Sequence, residues 1–206
     1  MRSRWAKAVV FALGLTPLAW LGWRAWNQAL GANPVEFLQH FTGNWTLRLI
    51  VATLAVTPAR KLLGLPDLIR FRRMIGLFAF FYGSLHFLTY LWLDKDFEVR
   101  EMLKDVGKRP FITAGFAAFL LMAPLAATST AGWIRRLGGK RWQLLHRLVY
   151  VAAVAAVVHY YWLVKSDIRL PLLYAALVGL LLGYRLVARV RRVRGARAAS
   201  PGRLRR

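Results

Sequence analysis

Followed for its hydrophobic and polar positions, the chain breaks into long apolar runs, each closed by a cluster of charges. Six runs approach the roughly 20 residues needed to cross a bilayer: 8–26, 45–57, 74–93, 111–127, 145–164 and 172–188. This pattern predicts an all-α integral membrane bundle of six transmembrane helices. The second run is the weakest, being short, holding Arg48 and ending at Pro58, so a tilted or interfacial segment is the alternative there.

The charges between the runs test this map, because cytoplasmic loops accumulate Lys and Arg. With six spans and the N-terminus inside, the cytoplasmic segments hold Arg60, Lys61, Arg70, Arg72, Arg73, Arg135, Arg136, Lys140 and Arg141, and only one acid, Asp67. Glu36, Asp94, Asp96, Glu98, Glu101, Asp105 and Asp167 all fall on the opposite side. Dropping the second run would move residues 27–44, which contain no Lys or Arg, onto the basic face. Six spans with both termini cytoplasmic is therefore the expected topology.

Composition narrows the function. A hydrophobic fraction of 58% coexists with 31 Lys and Arg against 8 Asp and Glu, a net charge of +23. Nucleic acid is the usual partner of so basic a chain, but here the arginines lie between the apolar runs and in the tail, so nucleic acid is not expected as a partner. The absence of cysteine removes disulfides, thiolate-held zinc, iron–sulfur clusters and covalently attached haem together. Any metal must be held by histidine or carboxylate. No G-x-G-x-x-G follows a strand pattern, so no nicotinamide module is encoded. The basic, apolar N-terminus has no small-x-small cleavage site before Trp23 and reads as a retained first helix. Residues 1–190 form one membrane domain; the basic tail 191–206 is expected to be disordered on anionic lipid headgroups.

Three of the four histidines lie within apolar runs, where an ionisable group is a functional candidate by default. His86 stands eight residues before Asp94 and His159 eight before Asp167, on spans running the same way, which sets the two rings at similar depth in the outer half. Ala79 and Gly83 precede His86, and Ala152 and Ala156 precede His159, at offsets of seven and three, so a shallow trough lies below each ring. A flat macrocycle between two helices needs that room; ordinary small-residue helix packing is the competing explanation. His146, thirteen residues before His159, lies about 20 Å lower and in a regular helix faces a different neighbour. His40 reads as a surface residue, and most of the tryptophans and tyrosines as an interfacial belt.

The segments LAVTPAR, RFRRMIGLFAFFYGSLHFLTYLWLD, KRPFITAGF and PLAATSTAGWIRRLGGKRWQLLHRLVY closely resemble the MsrQ (YedZ) family, the haem-binding membrane subunits of the bacterial periplasmic methionine sulfoxide reductase system. That family belongs to a wider ferric-reductase-like transmembrane group. The resemblance covers roughly 37–189 and implies a b-type cytochrome that takes electrons from quinol and passes them to the molybdenum-containing reductase MsrP, which itself reduces methionine sulfoxide to repair oxidised periplasmic proteins. It implies haem-iron ligation by His86, His159 and His146, with the first two the preferred pair, and an FMN of unassigned position. The wider group uses four histidines for two haems. Here the fourth matches Arg73 or Arg72, so the expectation is one b-type haem or two, with Arg72, Arg73 and His146 serving an anionic cofactor at the inner side. A small transporter or a membrane scaffold without redox cofactor is the alternative reading.

Overall fold

A computed structural model describes residues 2–198, and its regular structure is entirely helical. The helices are α1 (Arg2–Trp26), α2 (Pro34–Leu62), α3 (Ile69–Thr89), α4 (Val99–Lys108), α5 (Pro110–Ala127), α6 (Ala131–Leu137), α7 (Gly139–Leu145), α8 (Leu148–Leu163) and α9 (Arg169–Ala198). A π-helical turn, Tyr90–Asp94, prolongs α3. Five stretches are long and apolar enough to cross a membrane: Arg4–Trp26, Pro66–Asp94, Pro110–Ala127, Gly139–Leu163 and Arg169–Arg191. With large apolar side chains such as Leu120, Val151, Val154 and Leu180 turned outward and threonines inside, this is a multi-pass membrane protein.

The expected second span is part of a much longer helix. α2 begins at Pro34, where the Asn33 side chain accepts the Glu36 N–H at 3.2 Å and proline occupies the first turn without needing a donor. It falls outside the five apolar stretches because Glu36, Gln39, His40, Asn44 and Arg48 dilute its hydropathy. Its contacts nevertheless track α3 along the whole length. Gly43 faces His86, Thr46 faces Gly83, Thr53 faces Gly76 and Thr57 faces Arg72, so one helix advances a residue as the other retreats by one. Gly115 facing His159 and Thr128 facing His146 show the same antiparallel relation between α5 and the α7–α8 segment. Phe11 meeting Phe78, and Gly14 and Leu18 meeting Tyr82, make α1 parallel to α3.

Two interhelical contacts reach the main chain of a helix beside a proline. Pro58 does not end α2, although it has no N–H for the carbonyl four residues earlier. That carbonyl, of Leu54, accepts instead from the Arg185 guanidinium on α9, which also donates to Leu181 O at 2.7 Å and lies over the Tyr150 ring. In α1, the fully buried Tyr82 hydroxyl is inserted into the helical ladder. It accepts the Leu18 N–H at 3.1 Å and donates to Gly14 O at 2.8 Å, spanning one turn of α1 next to Pro17. The buried hydroxyls of Thr42, Thr46, Thr53 and Thr128 each donate to a carbonyl one turn back on their own helix, and no buried side-chain N or O among the described residues lacks a partner.

Two further expectations change. The fifth span is not one regular helix, because a turn at His146 and Arg147 separates α7 from α8. The last helix runs past the expected domain boundary at 190 to Ala198; the remainder of the tail expected to be disordered, residues 199–206, lies outside the described residues.

Tyr82→Phe keeps the ring and removes the bridging hydroxyl, taking one hydrogen-bond partner from the Leu18 N–H and one from Gly14 O. The expected cost is about 1–2 kcal/mol, seen as a lower melting temperature and easier proteolytic release of α1. An unchanged melting temperature would mean that the hydroxyl contributes nothing.

Candidate functional site

Imidazole has one N–H to satisfy and one lone pair to offer, so the partner of the N–H decides which nitrogen remains available. His86 Nδ1 lies 3.0 Å from Gln39 O on α2, and His159 Nδ1 lies 2.6 Å from Phe111 O on α5. A carbonyl only accepts, so both rings carry their proton on Nδ1 and leave Nε2 as a lone pair. The two rings face each other from α3 and α8, with centroids 6.1 Å apart and planes at 70°. Imidazole–metal bonds of about 2 Å on either side of an ion leave ring centroids about 6 Å apart.

The pair lies in a cavity of 360 Å³ whose walls include Phe87, Phe116 and Phe119, together with Gly83 and Ala156 of the expected troughs. Ala79 lines a second cavity instead, and Ala152 is packed against it in the core. Among the described residues no cluster of three or more His, Cys, Asp or Glu could hold a bare ion. Two opposed imidazoles in an apolar slot suit a metal whose equatorial positions are already filled, as in a haem. The residues present therefore fit the group that the sequence resemblance implies.

At the end of the bundle farther from His146 this cavity is covered by α4. Met102 is buried and Val106 lines the slot, while Asp96, Glu98 and Glu101 are exposed. The cover is tied down through Asp105, whose carboxylate accepts from Lys95 Nζ at 2.7 Å and from the Tyr90 hydroxyl at 3.1 Å, with Arg109 Nε at 3.4 Å. The Lys95 ammonium chiefly holds the Asp105 carboxyl below the usual carboxylate range. Tyr90 lies one turn beyond His86 and Arg109 just before Phe111, so this cluster joins the ends of both helices that frame the slot. His40 is exposed at the mouth of the slot.

The second cavity, of 700 Å³, lies lower along the helices and reaches His146, thirteen residues or about 20 Å of helix before His159. His146, Arg72 and Arg73 line it, joined by Arg147, Trp142 and Tyr150, whereas Arg70, Arg135, Arg136, Lys140 and Arg141 do not. His146 does not face a separate neighbour: the turn at residues 146–147 aims its ring at α5, the same helix that His159 meets. Its Nε2 is 3.1 Å from Thr128 Oγ1, and that hydroxyl donates to Pro124 O at 2.6 Å. The hydroxyl must therefore accept from Nε2–H, the opposite protonation pattern to the outer pair. The ring is stacked on Trp142 at 3.9 Å between centroids. Arg72 is the residue at the corresponding level of α3, donating to Thr57 Oγ1 at 3.3 Å. Met122 lines both cavities and separates them, and the rings of Phe80, Phe119 and Phe87 form a stacked series from the lower to the upper.

Sequence reasoning missed Gly43, Gly115, Thr57, Thr128 and Arg185. Gly115 and Gly43 stand four residues after the carbonyls that hold the two histidines, but that spacing has meaning only once the helices are paired.

Residues 42–157 match the family model described as ferric reductase like transmembrane component. The chain is 55% identical over 192 residues to the protein-methionine-sulfoxide reductase heme-binding subunit MsrQ of Bordetella parapertussis, covering 92% of each chain. It is 50% identical over 204 residues to the protein of the same name from Xanthomonas campestris pv. campestris, covering 95% of this chain and 93% of the relative. The counterpart from Herminiimonas arsenicoxydans is 53% identical over 178 residues, with 85% and 82% covered. No solved structure matches the chain.

His86→Ala or His159→Ala should abolish the low-spin absorption spectrum of protein produced with haem supplied, whereas His146→Ala should leave the outer site's spectrum in place. Full haem content with an unaltered low-spin spectrum in His86→Ala would break the pairing.

Proposed function

The chain belongs to the MsrQ family of heme-binding subunits of protein-methionine-sulfoxide reductase, among the ferric reductase like transmembrane components, and from that membership we propose a multi-pass b-type cytochrome of the bacterial inner membrane that delivers electrons to the periplasmic molybdenum reductase MsrP. One observation carries this reading: two intramembrane imidazoles face each other 6.1 Å apart with both Nδ1–H groups held by main-chain carbonyls. A haem bound there supplies an iron that accepts and releases one electron at a time. His86 and His159 would hold that iron from both sides, leaving no position for oxygen or substrate and so favouring electron transfer. Methionine sulfoxide reduction is left to the partner, for which α4 and the exposed Asp96, Glu98 and Glu101 provide the nearest outer surface.

The six-span topology, with both termini cytoplasmic, is the arrangement we favour. Its support is the continuous register of α2 against α3, which takes α2 as deep as its neighbour, and the separation of charge between the two ends of the bundle. The basic end then meets anionic lipid in the cytoplasmic leaflet. An alkaline phosphatase fused after residue 206 is expected to be inactive and a fluorescent protein at the same point to be bright; the reverse pair of results would invert the topology.

Electrons enter, in this reading, from quinol at the lower cavity, with FMN an additional cofactor of the family. Arg72 and Arg73 offer permanently charged forks suited to a flavin phosphate or a haem propionate, and neither has a lone pair for iron. His146 beside them offers hydrogen bonding and a flat face stacked on Trp142. Replacing Arg72 and Arg73 together with glutamine should lower flavin content or quinol-driven reduction while leaving the low-spin spectrum of the outer site unchanged. If flavin content and quinol-driven reduction both stay at the parent level, the arginines have only a topological role.

A further inference from the structure

The two imidazoles are held by the same device on different helices. On α2, Gln39 supplies the carbonyl for His86 Nδ1–H, and Gly43, one turn further on, faces the ring. On α5, Phe111 supplies the carbonyl for His159 Nδ1–H, and Gly115, again one turn further on, faces the ring. In each case the ring rests where a side chain at the fourth residue would stand. A Cβ at Gly115 would lie 2.7 Å from His159 Nδ1, 2.9 Å from Cε1 and 3.0 Å from Cγ. A Cβ at Gly43 would lie 3.1 Å from His86 Cε1 and 3.2 Å from Nδ1. Neither glycine has positive φ, so backbone conformation does not require it at either position. What requires it is the close approach of an imidazole to a helix backbone.

We propose that Gly115 and Gly43 are positioning residues for the axial ligands: with the carbonyl one turn earlier, each forms a seat that fixes the depth and plane of its imidazole, and the two seats together set the 70° angle between the rings. The proposal rests on His86 and His159 being the axial pair. The seats are unequal. At Gly115 the added carbon falls inside any normal contact distance, and the ring cannot retreat without lengthening its bond to Phe111 O. At Gly43 a few tenths of an ångström of movement suffice. His159 is therefore the rigidly seated ligand and His86 the more tolerant one.

The ring planes can be read directly. Steeply crossed imidazoles leave two iron d orbitals nearly equal in energy, which gives a ferric low-spin electron paramagnetic resonance signal dominated by one high-g feature. Near-parallel planes give a resolved rhombic signal instead. The wild-type protein is expected to show the first kind.

The experiment compares Gly115→Ala, Gly43→Ala and Gly179→Ala in detergent-purified, haem-supplied protein, by haem-to-protein ratio, optical spectrum, resonance signal and midpoint potential. Gly179 has no atom near its missing Cβ and serves as the control. Gly115→Ala should lose the low-spin signal or convert it to high-spin, Gly43→Ala should keep low-spin haem with a displaced g value and a shifted midpoint, and Gly179→Ala should match wild type. Wild-type signals and midpoint in both Gly115→Ala and Gly43→Ala would overturn the seats while leaving the histidine pair intact. A low-spin spectrum that survives His86→Ala or His159→Ala would instead overturn the pair itself. If Gly115→Ala does not accumulate in the membrane, Gly43→Ala decides: a displaced signal at normal haem content supports the seats, and an unchanged one rejects them.

Discussion

Everything about the paired-histidine site depends on where two imidazole protons go. In lipid a ring N–H without an acceptor is costly, and main-chain carbonyls of α2 and α5 are within reach of His86 and His159. Those bonds fix the tautomer and leave the Nε2 lone pair of each ring free. The bonds in turn require that α2 lie against α3, and α5 against α8, in one register each. A shift of either helix by a residue would carry the carbonyl away from the ring. The long packed interfaces below, through Thr46, Gly83, Thr53 and Gly76, are what hold that register.

The two levels of the bundle share a helical framework and differ in chemistry. The upper level has opposed imidazoles with matching protonation; the lower has one imidazole protonated on the other nitrogen and an arginine across from it. The lower cavity is also the larger and the more basic. A thioether, that of Met122, and a series of stacked phenylalanines lie between them. One framework thus presents an apolar, metal-suited slot toward one face and a cationic pocket toward the other.

Much of this was legible in the sequence. Apolar runs gave the five stretches long enough to cross a membrane, and charge sorting argued for a sixth. The equal spacing of His86 and His159 from Asp94 and Asp167 gave their common level. The rest was hidden for a physical reason. The groups that orient the rings are backbone carbonyls, which every residue possesses, and glycines, which are informative only by what they leave vacant. Asn33, Pro34 and Glu36 did mark the true start of α2, and polar residues in its first turns obscured that signal. The turn at His146 has no such marker; a regular helix was the natural expectation, and it aimed the ring wrongly.

Pro58 and Arg185 show how such a fold is inherited. The proline leaves a carbonyl of α2 unbonded and the arginine from α9 bonds it, so a guanidinium that lipid would otherwise exclude acquires a reason to be inside. Each residue alone is a fault: a proline inside a helix, or a half-buried positive charge among apolar helices. Together they form a joint between distant parts of the chain, and neither can drift independently. A lineage that replaces the proline restores the helical bond and leaves the arginine only Leu181 O and the Tyr150 ring to hold it. A change at the first position should therefore relax the demand for charge at the second.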